Sequence, residues 1–218
     1  MKSFHRLPIK PLQLSWFRPL LLGLLLILSP LALMIGDLPA KEPETAAGPP
    51  DPPTLEKKIG TIQAGLKSNP EESWAYVQLG NLYFESNKYQ EAIESYREAL
   101  RLKPEDGAAH YNLALTFDKV GFYPEAIEAY QKAVRIKPDN AEAYNNLGAV
   151  WYQLGKNPEA KEAYKQAIRI KPDDPGAHFN LGLIYLALKD TASALEEYKL
   201  LKTLNPQFAN ELFNHIYK

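Results

Sequence analysis

Apolar residues recur in this chain with the spacing of amphipathic helices. Near residue 148, four residues share or adjoin one helical face, and they are Tyr144, Leu147, Gly148 and Trp151. After a turn at residues 155–157, a second apolar stripe contains Ala160, Tyr164, Ala167 and Ile168. Pro158 fits the first turn of that second helix, because its missing N–H would be unpaired there in any case. The pattern predicts two antiparallel helices joined by a short turn.

This helix pair returns every 34 residues along the chain. The prolines that close the second helices are Pro104, Pro138, Pro172 and Pro206. They divide the sequence into the units 73–106, 107–140, 141–174 and 175–208. One helix pair cannot bury its apolar side alone, so neighbouring units must stack to form a continuous core.

Several positions recur in register across all four units. They are Leu79-Gly80, Leu113-Ala114, Leu147-Gly148 and Leu181-Gly182, then Ala92, Ala126, Ala160 and Ala194, then Tyr96, Tyr130, Tyr164 and Tyr198. This pattern resembles the tetratricopeptide repeat (TPR), which has L-G-x2-Y, A-x3-F and P at these places. Tyr replaces the Phe throughout, Ala114 replaces a Gly, and Leu201 replaces the late Ala of the last unit. The resemblance implies an all-α fold, a right-handed superhelix of antiparallel helix pairs with a concave groove lined by the first helices.

Both ends of the array carry further helical stripes. Residues 54–70 predict a partial repeat or capping helix with the apolar positions Leu55, Ile59, Ile62 and Leu66. Residues 209–218 predict a short C-terminal capping helix. Phe213 and Tyr217 are expected to remain partly exposed on it, which suggests a homodimer contact.

The N-terminus predicts a membrane segment. Residues 19–36 form an uncharged apolar run of the length of a short transmembrane helix. Residues 1–18 carry four basic residues and no acid, which predicts a cytoplasmic N-terminus and an extracytoplasmic (periplasmic or lumenal) array. Residues 37–53 hold six prolines and read as a semi-rigid linker. The alternative is a signal peptide whose cleavage would release a secreted protein.

Composition and motifs argue against catalysis. The chain has no Cys, and 25 basic residues balance 26 acidic ones, so it shows no signal for nucleic-acid binding. Nucleotide-binding, hydrolase, zinc-protease and calcium-binding motifs are absent. His110 and His178 lie two units apart, roughly 20 Å at the spacing of packed helices, too far for one metal ion. We expect no enzyme activity, cofactor or metal.

The groove of the first helices is the expected binding surface. Asn112, Asn146 and Asn180, here called the Asn ladder, occupy one repeat position, and Gln78 takes that place in the first unit. Each amide offers a donor and an acceptor to the backbone of an extended peptide, although Asn at this position can also bond only locally. The predicted groove residues are Gln78, Asn81, Tyr111, Asn112, Leu115, Asn145, Asn146, Tyr152, Phe179, Asn180 and Leu183.

These features predict a membrane-tethered scaffold or assembly factor that binds a protein or peptide segment in the groove. TPR domains that hold the acidic C-termini of chaperones carry Lys and Arg in the groove, and this chain has neither there, which disfavours that ligand. The alternative is a constitutive structural subunit of a membrane complex, which would use the convex face or the C-terminal helix.

Overall fold

The computed structural model describes residues 52–218, and all regular structure within them is α-helical. The helices are α1 (Pro52–Ser68), α2 (Ser73–Glu85), α3 (Tyr89–Leu102), α4 (Gly107–Val120), α5 (Tyr123–Ile136), α6 (Ala141–Gln153), α7 (Asn157–Ile170), α8 (Pro175–Ala187), α9 (Thr191–Leu204) and α10 (Pro206–Ile216). Each helix packs against the next, and α2, α4, α6 and α8 also contact one another in order. The result is a helical solenoid of stacked pairs.

The 34-residue register is visible at the helix boundaries. The first helices begin at Ser73, Gly107, Ala141 and Pro175. Three of these starts are capped by the residue just before them, where Asp106, Asn140 and Asp174 accept hydrogen bonds from backbone N–H groups of the first turn. The turn after each first helix has one residue with a left-handed backbone, and these are Asn87, Gly121, Gly155 and Lys189.

The small residues predicted at the crossing of the two helices are fully buried. Ala92, Ala126, Ala160 and Ala194 each have 0% exposure. Tyr96, Tyr130 and Tyr164 fill the layer beside them, as expected. Tyr198 does not, because Leu212 of α10 occupies the space next to Gly182 that a tyrosine ring occupies next to Gly80 and Gly148. Tyr198 packs instead on Phe213.

The two terminal helices start earlier than the sequence pattern suggested. α1 begins at Pro52 rather than residue 54, so it includes the last two residues assigned to the linker. α10 begins at Pro206 rather than residue 209, because Asn205 accepts from the backbone N–H groups of Gln207 and Phe208 and starts the helix at once. Pro206 therefore opens a helix as well as following one.

None of the helices within residues 52–218 combines the length and apolar character that a bilayer crossing requires. The apolar run at 19–36, the basic segment at 1–18 and residues 37–51 of the linker lie outside the described residues.

Candidate functional site

The candidate site is the groove, defined here as the surface formed side by side by the first helices α2, α4, α6 and α8. On α2, Gln78 and Asn81 are three residues apart and therefore lie on one face. On α4 the same positions are Asn112 and Leu115. Gln78 is exposed, whereas Asn81, Leu115 and the Asn ladder are half-buried.

The Asn ladder bridges neighbouring helices. Asn112 Nδ2 donates to Asn81 Oδ1 at 2.9 Å, and Asn146 Nδ2 donates to the Tyr111 hydroxyl at 3.2 Å. Asn180 Nδ2 donates to Asn145 Oδ1 at 3.3 Å. Each rung thus uses its amide N–H₂ within the array, while no residue between 52 and 218 donates to its Oδ1. In each of these amides Nδ2 therefore bonds within the array, while Oδ1 can accept a hydrogen bond from a ligand.

The first two units form a polar network at the groove floor. The Tyr96 hydroxyl donates to Asn81 Oδ1 at 2.7 Å, so Asn81 accepts from both Tyr96 and Asn112. The depression above this network is a cleft of 270 Å³, and it is lined by Asn81, Phe84, Glu85, Tyr96, Asn112 and Leu115. Burial, followed by the charge of Glu85, raises the pKa of the Tyr96 phenol, which keeps it protonated as the donor of this bond.

The second unit differs at this place. Leu115 stands where the first unit has Asn81, and it cannot accept a hydrogen bond. The Tyr130 hydroxyl, which corresponds to that of Tyr96, is buried without a hydrogen-bond partner among the described residues. Its ring lies 6.0 Å from that of Tyr111, centroid to centroid. Asn146 Nδ2 donates to the Tyr111 hydroxyl at 3.2 Å, and it also lies near enough to the Tyr130 hydroxyl to oppose the rise that burial causes in the pKa of that phenol.

At the far end the groove is closed by α10. The ring of Phe179 stacks on Phe208, with centroids 5.2 Å apart, and Leu183 packs against the cluster that contains Leu212. Both were predicted as groove residues, and the structure places them against α10. Tyr152 of the predicted set remains open, with 44% exposure.

Two groove residues were not singled out from the sequence. Trp74 has 63% exposure and lies one turn before Gln78 on the same face of α2. Glu85 lines the cleft from the last residue of that helix. The 34-residue register was a signal for both positions. Trp74 is in register with Glu142 two units later, and Glu85 is in register with Lys119 of the next unit.

The predicted groove surface combines amide, aromatic and aliphatic side chains. The eleven predicted residues are amides, aromatic side chains and leucines, with no Lys or Arg among them. Burial raises the pKa of Asp118, which lies one turn beyond Leu115, and the neighbouring Lys119 only partly opposes that rise. Within residues 52–218, no three His, Asp or Glu side chains come together in a way that could hold a metal ion.

Family models together match residues 77–208. Models described as tetratricopeptide repeat match residues 77–141, 129–162 and 175–208, and a model described as TPR repeat matches 150–189. No curated protein matches the chain in sequence.

Solved structures share its fold. The crystal structure of MamA is 27% identical in sequence to this chain and superposes with a TM-score of 0.66. The match covers 74% of this chain and 90% of the MamA chain. YrrB, described as a TPR protein with an unusual peptide-binding site, is 24% identical with a TM-score of 0.67. The match covers 74% of this chain and 84% of the YrrB chain. The first TPR of Spaghetti (RPAP3), bound to the HSP90 peptide SRMEEVD, is 27% identical with a TM-score of 0.53. The match covers 54% of this chain and 94% of the Spaghetti (RPAP3) chain.

Proposed function

Because the chain belongs to the tetratricopeptide repeat family, we propose that it is a non-catalytic scaffold or assembly factor that holds an extended protein segment in its groove. The observation that carries this proposal is the half-used Asn ladder. Its N–H₂ groups bond to neighbouring helices, and its Oδ1 atoms accept no hydrogen bond from residues 52–218. Backbone N–H groups of an extended segment are the donors that suit such a row.

The open side chains of the groove support the same function. Trp74 and Tyr152 present aromatic surface at 63% and 44% exposure, and Gln78 adds a partly exposed amide. Aromatic side chains supply much of the binding energy in protein interfaces because they bury large areas in well-packed contacts. The relative Spaghetti (RPAP3) binds an HSP90 peptide in the solved structure, which supports peptide binding as a general use of this fold.

Membrane tethering is a separate part of the proposal. The basic segment 1–18, the apolar run 19–36 and the proline-rich linker 37–53 would place the array on the extracytoplasmic side, assisting a membrane-associated complex. Secretion after signal cleavage remains the alternative. Protease treatment of sealed right-side-out vesicles tests the topology, since full protection of the array would contradict it.

A constitutive structural subunit is the second candidate, and one observation favours it. The rings of Tyr198 on α9, Phe213 on α10 and Tyr217 just after α10 form a row, with centroids 5.6 and 4.5 Å apart, and Phe213 and Tyr217 have 41% and 64% exposure. This row offers a contact for another subunit or for a second copy of the chain. Sedimentation of a detergent extract tests it, because a permanent subunit would never sediment as the free protein.

The groove is tested with substitutions that do not disturb the fold. Replacing the Asn ladder would also remove hydrogen bonds between helices, so lost binding could reflect a loosened array. The better variant combines Trp74→Ala with Tyr152→Ala, since both side chains are exposed. The matched control is Leu200→Ala on α9, where the leucine has 41% exposure. The full-length chain captures its partner from native membranes, and we expect the double variant alone to lose it. Unchanged capture by the double variant would contradict groove binding.

A further inference from the structure

The connections between the two helices of each unit form one edge of the array, here called the turn edge. They are residues 86–88, 121–122, 154–156 and 188–190. Three of them carry a large apolar side chain that is open to solvent, since Phe122, Leu154 and Leu188 have 50%, 41% and 36% exposure. These side chains belong to consecutive units and form an exposed apolar row. Exposed apolar surface of this kind marks a contact with a membrane or with a partner.

The opposite edge, made by the connections between units, has a different character. Within residues 69–72, 103–106, 137–140 and 171–174, no large apolar side chain is exposed. These connections contain three lysines and seven Asp or Glu residues. The connections of the turn edge also contain three lysines, Lys88, Lys156 and Lys189, but Asp190 is their one carboxylate. Exposed apolar side chains and an excess of lysine therefore occur together on the turn edge and not on the opposite one.

The lysines of the turn edge are not paired within the array. None of Lys88, Lys156 and Lys189 forms an ion pair with another residue of 52–218. On the opposite edge, two of the three lysines pair with the Asp that precedes a first helix, at 3.7 and 3.9 Å. The carboxylates nearest in sequence after the turns lie at the third position of the second helices, where they complement the helix N-termini, and they are Glu91, Glu125 and Glu159.

The chain enters the array at the turn edge. α1 begins at Pro52 and runs antiparallel to α2, because the short connection 69–72 joins them. Leu55, near the start of α1, packs in one cluster with Leu82, near the end of α2. The start of α1 therefore lies beside the end of α2, which is the turn edge. For the opposite edge to meet a bilayer that holds the apolar run 19–36, the linker would have to pass along the helices for about 20 Å.

We propose that the turn edge lies on the lipid headgroup layer of the bilayer to which the chain is tethered. Phe122, Leu154 and Leu188 enter the boundary between headgroups and acyl chains, and the lysines of the edge meet the lipid phosphates. The inference rests on the proposed tethering and adds the orientation of the array. The helix axes then point away from the membrane, so the groove along the first helices stays open to a partner.

The test places one fluorescent probe at a time on the full-length chain, which has no Cys of its own. Gln153→Cys puts the probe beside the apolar row without replacing any of its members, and Asp139→Cys puts it on the opposite edge; both residues are exposed. The labelled chains are reconstituted in vesicles of phosphatidylcholine with about one part in five phosphatidylglycerol. Phosphatidylcholine that carries a nitroxide on its acyl chain is the quencher. We expect at least about threefold stronger quenching at position 153 than at position 139.

A triple variant tests whether the apolar row causes the contact. Phe122→Ser, Leu154→Ser and Leu188→Ser together should abolish the quenching of the probe at position 153. The control Leu200→Ser, on α9 away from the turn edge and with 41% exposure in the parent chain, should retain it. Far-UV circular dichroism establishes that both variants remain folded. Quenching at position 153 that persists in the folded triple variant would overturn the inference.

Flotation of the vesicles in a density gradient separates this inference from the tethering on which it rests. The parent chain and the triple variant should both float with the vesicles, because tethering through 19–36 does not require the turn edge. Flotation with no stronger quenching at position 153 than at position 139 would overturn the inference and leave tethering standing. A chain that does not float with the vesicles would contradict both.

Discussion

The Tyr96 hydroxyl donates to Asn81 Oδ1 at 2.7 Å, and this bond ties the second helix of the first unit to its groove floor. The corresponding Tyr130 hydroxyl, 34 residues later, has no partner among the described residues. One repeat position therefore carries a satisfied phenol in one unit and an orphaned phenol in the next. The difference arises from the change of Asn81 to Leu115 at the position that faces it.

Removing these two hydroxyls should have opposite consequences. Tyr96→Phe should lower the free energy of unfolding by about 1 kcal/mol, because a buried hydrogen bond is lost and Asn81 keeps only Asn112. Tyr130→Phe should leave stability unchanged or raise it by up to about 1 kcal/mol, because it removes a buried group that is not hydrogen-bonded. Urea unfolding of the full-length chain in mild detergent measures both. Equal destabilisation by the two variants would contradict the account of Tyr130.

The left-handed turn residue of the last unit offers a stabilising change. Lys189 has φ 62°, a conformation that glycine adopts without cost, as Gly121 and Gly155 do at the same repeat position. Lys189→Gly should raise the free energy of unfolding by about 1 kcal/mol. The matched control is Gly155→Ala, where φ is 72° and no neighbouring atom blocks the added Cβ. It should destabilise by a similar amount, through the backbone alone; if it is neutral, strain at this position is not the cause.

The His178 pair should make the last unit sensitive to pH. Nδ1 lies 2.7 Å from Glu197 Oε2 and Nε2 lies 2.9 Å from the Pro172 carbonyl, and a protonated imidazole satisfies both oxygens by donating from both nitrogens. Burial is the largest influence and opposes that charge, but the hydrogen bonds to Glu197 and Pro172, with the charges of Glu197 and Asp174, together prevail and raise the pKa of His178.

The direction of the pH effect follows from this raised pKa. The stabilisation is fully present below the unfolded pKa, about 6.5, and is lost as pH rises through the higher folded pKa. The melting temperature should therefore fall more between about pH 6 and pH 9 for the wild type than for Glu197→Gln, which keeps an acceptor without the charge. Identical slopes for wild type and Glu197→Gln would rule out the pair as the cause.

The packing of α10 against α8 can be disturbed by adding one methyl group at Gly182. A Cβ at Gly182 would lie 2.5 Å from Leu212 Cδ2, and Leu212 is fully buried and cannot move aside freely. Gly182→Ala should destabilise this end by about 1–3 kcal/mol. Hydrogen exchange should accelerate in 206–216 and remain slow in α4 and α5. Uniform acceleration across the array would mean that α10 does not respond as a local unit.

Much of this fold follows from periodic residues. The prolines and the buried alanines at 34-residue intervals predict the helix pairs and their stacking, because each has the same steric role in every unit. The end of the array is less regular. Asn205 caps α10 directly and Leu212 takes the place of a tyrosine ring, which a pattern drawn from the other units cannot anticipate.

The groove was predictable as a set of positions and less so as a set of contacts. The Asn ladder could be read from the register, but its hydrogen bonds go to residues 31 or 35 positions earlier, depending on which neighbour offers an acceptor. That choice depends on side-chain geometry across two helices. Phe179 and Leu183 show the same limit, since their repeat position is that of groove residues and α10 packs on them.

Photo-crosslinking in native membranes tests groove binding most directly, because it captures whatever protein lies against the chosen side chain. Benzoylphenylalanine replaces one exposed residue at a time: Tyr152 in the groove, Leu200 on α9, or Phe213 on α10, with 44%, 41% and 41% exposure. The account predicts a protein adduct from position 152 and none from positions 200 or 213. Adducts from position 200 or 213, with none from position 152, would contradict it.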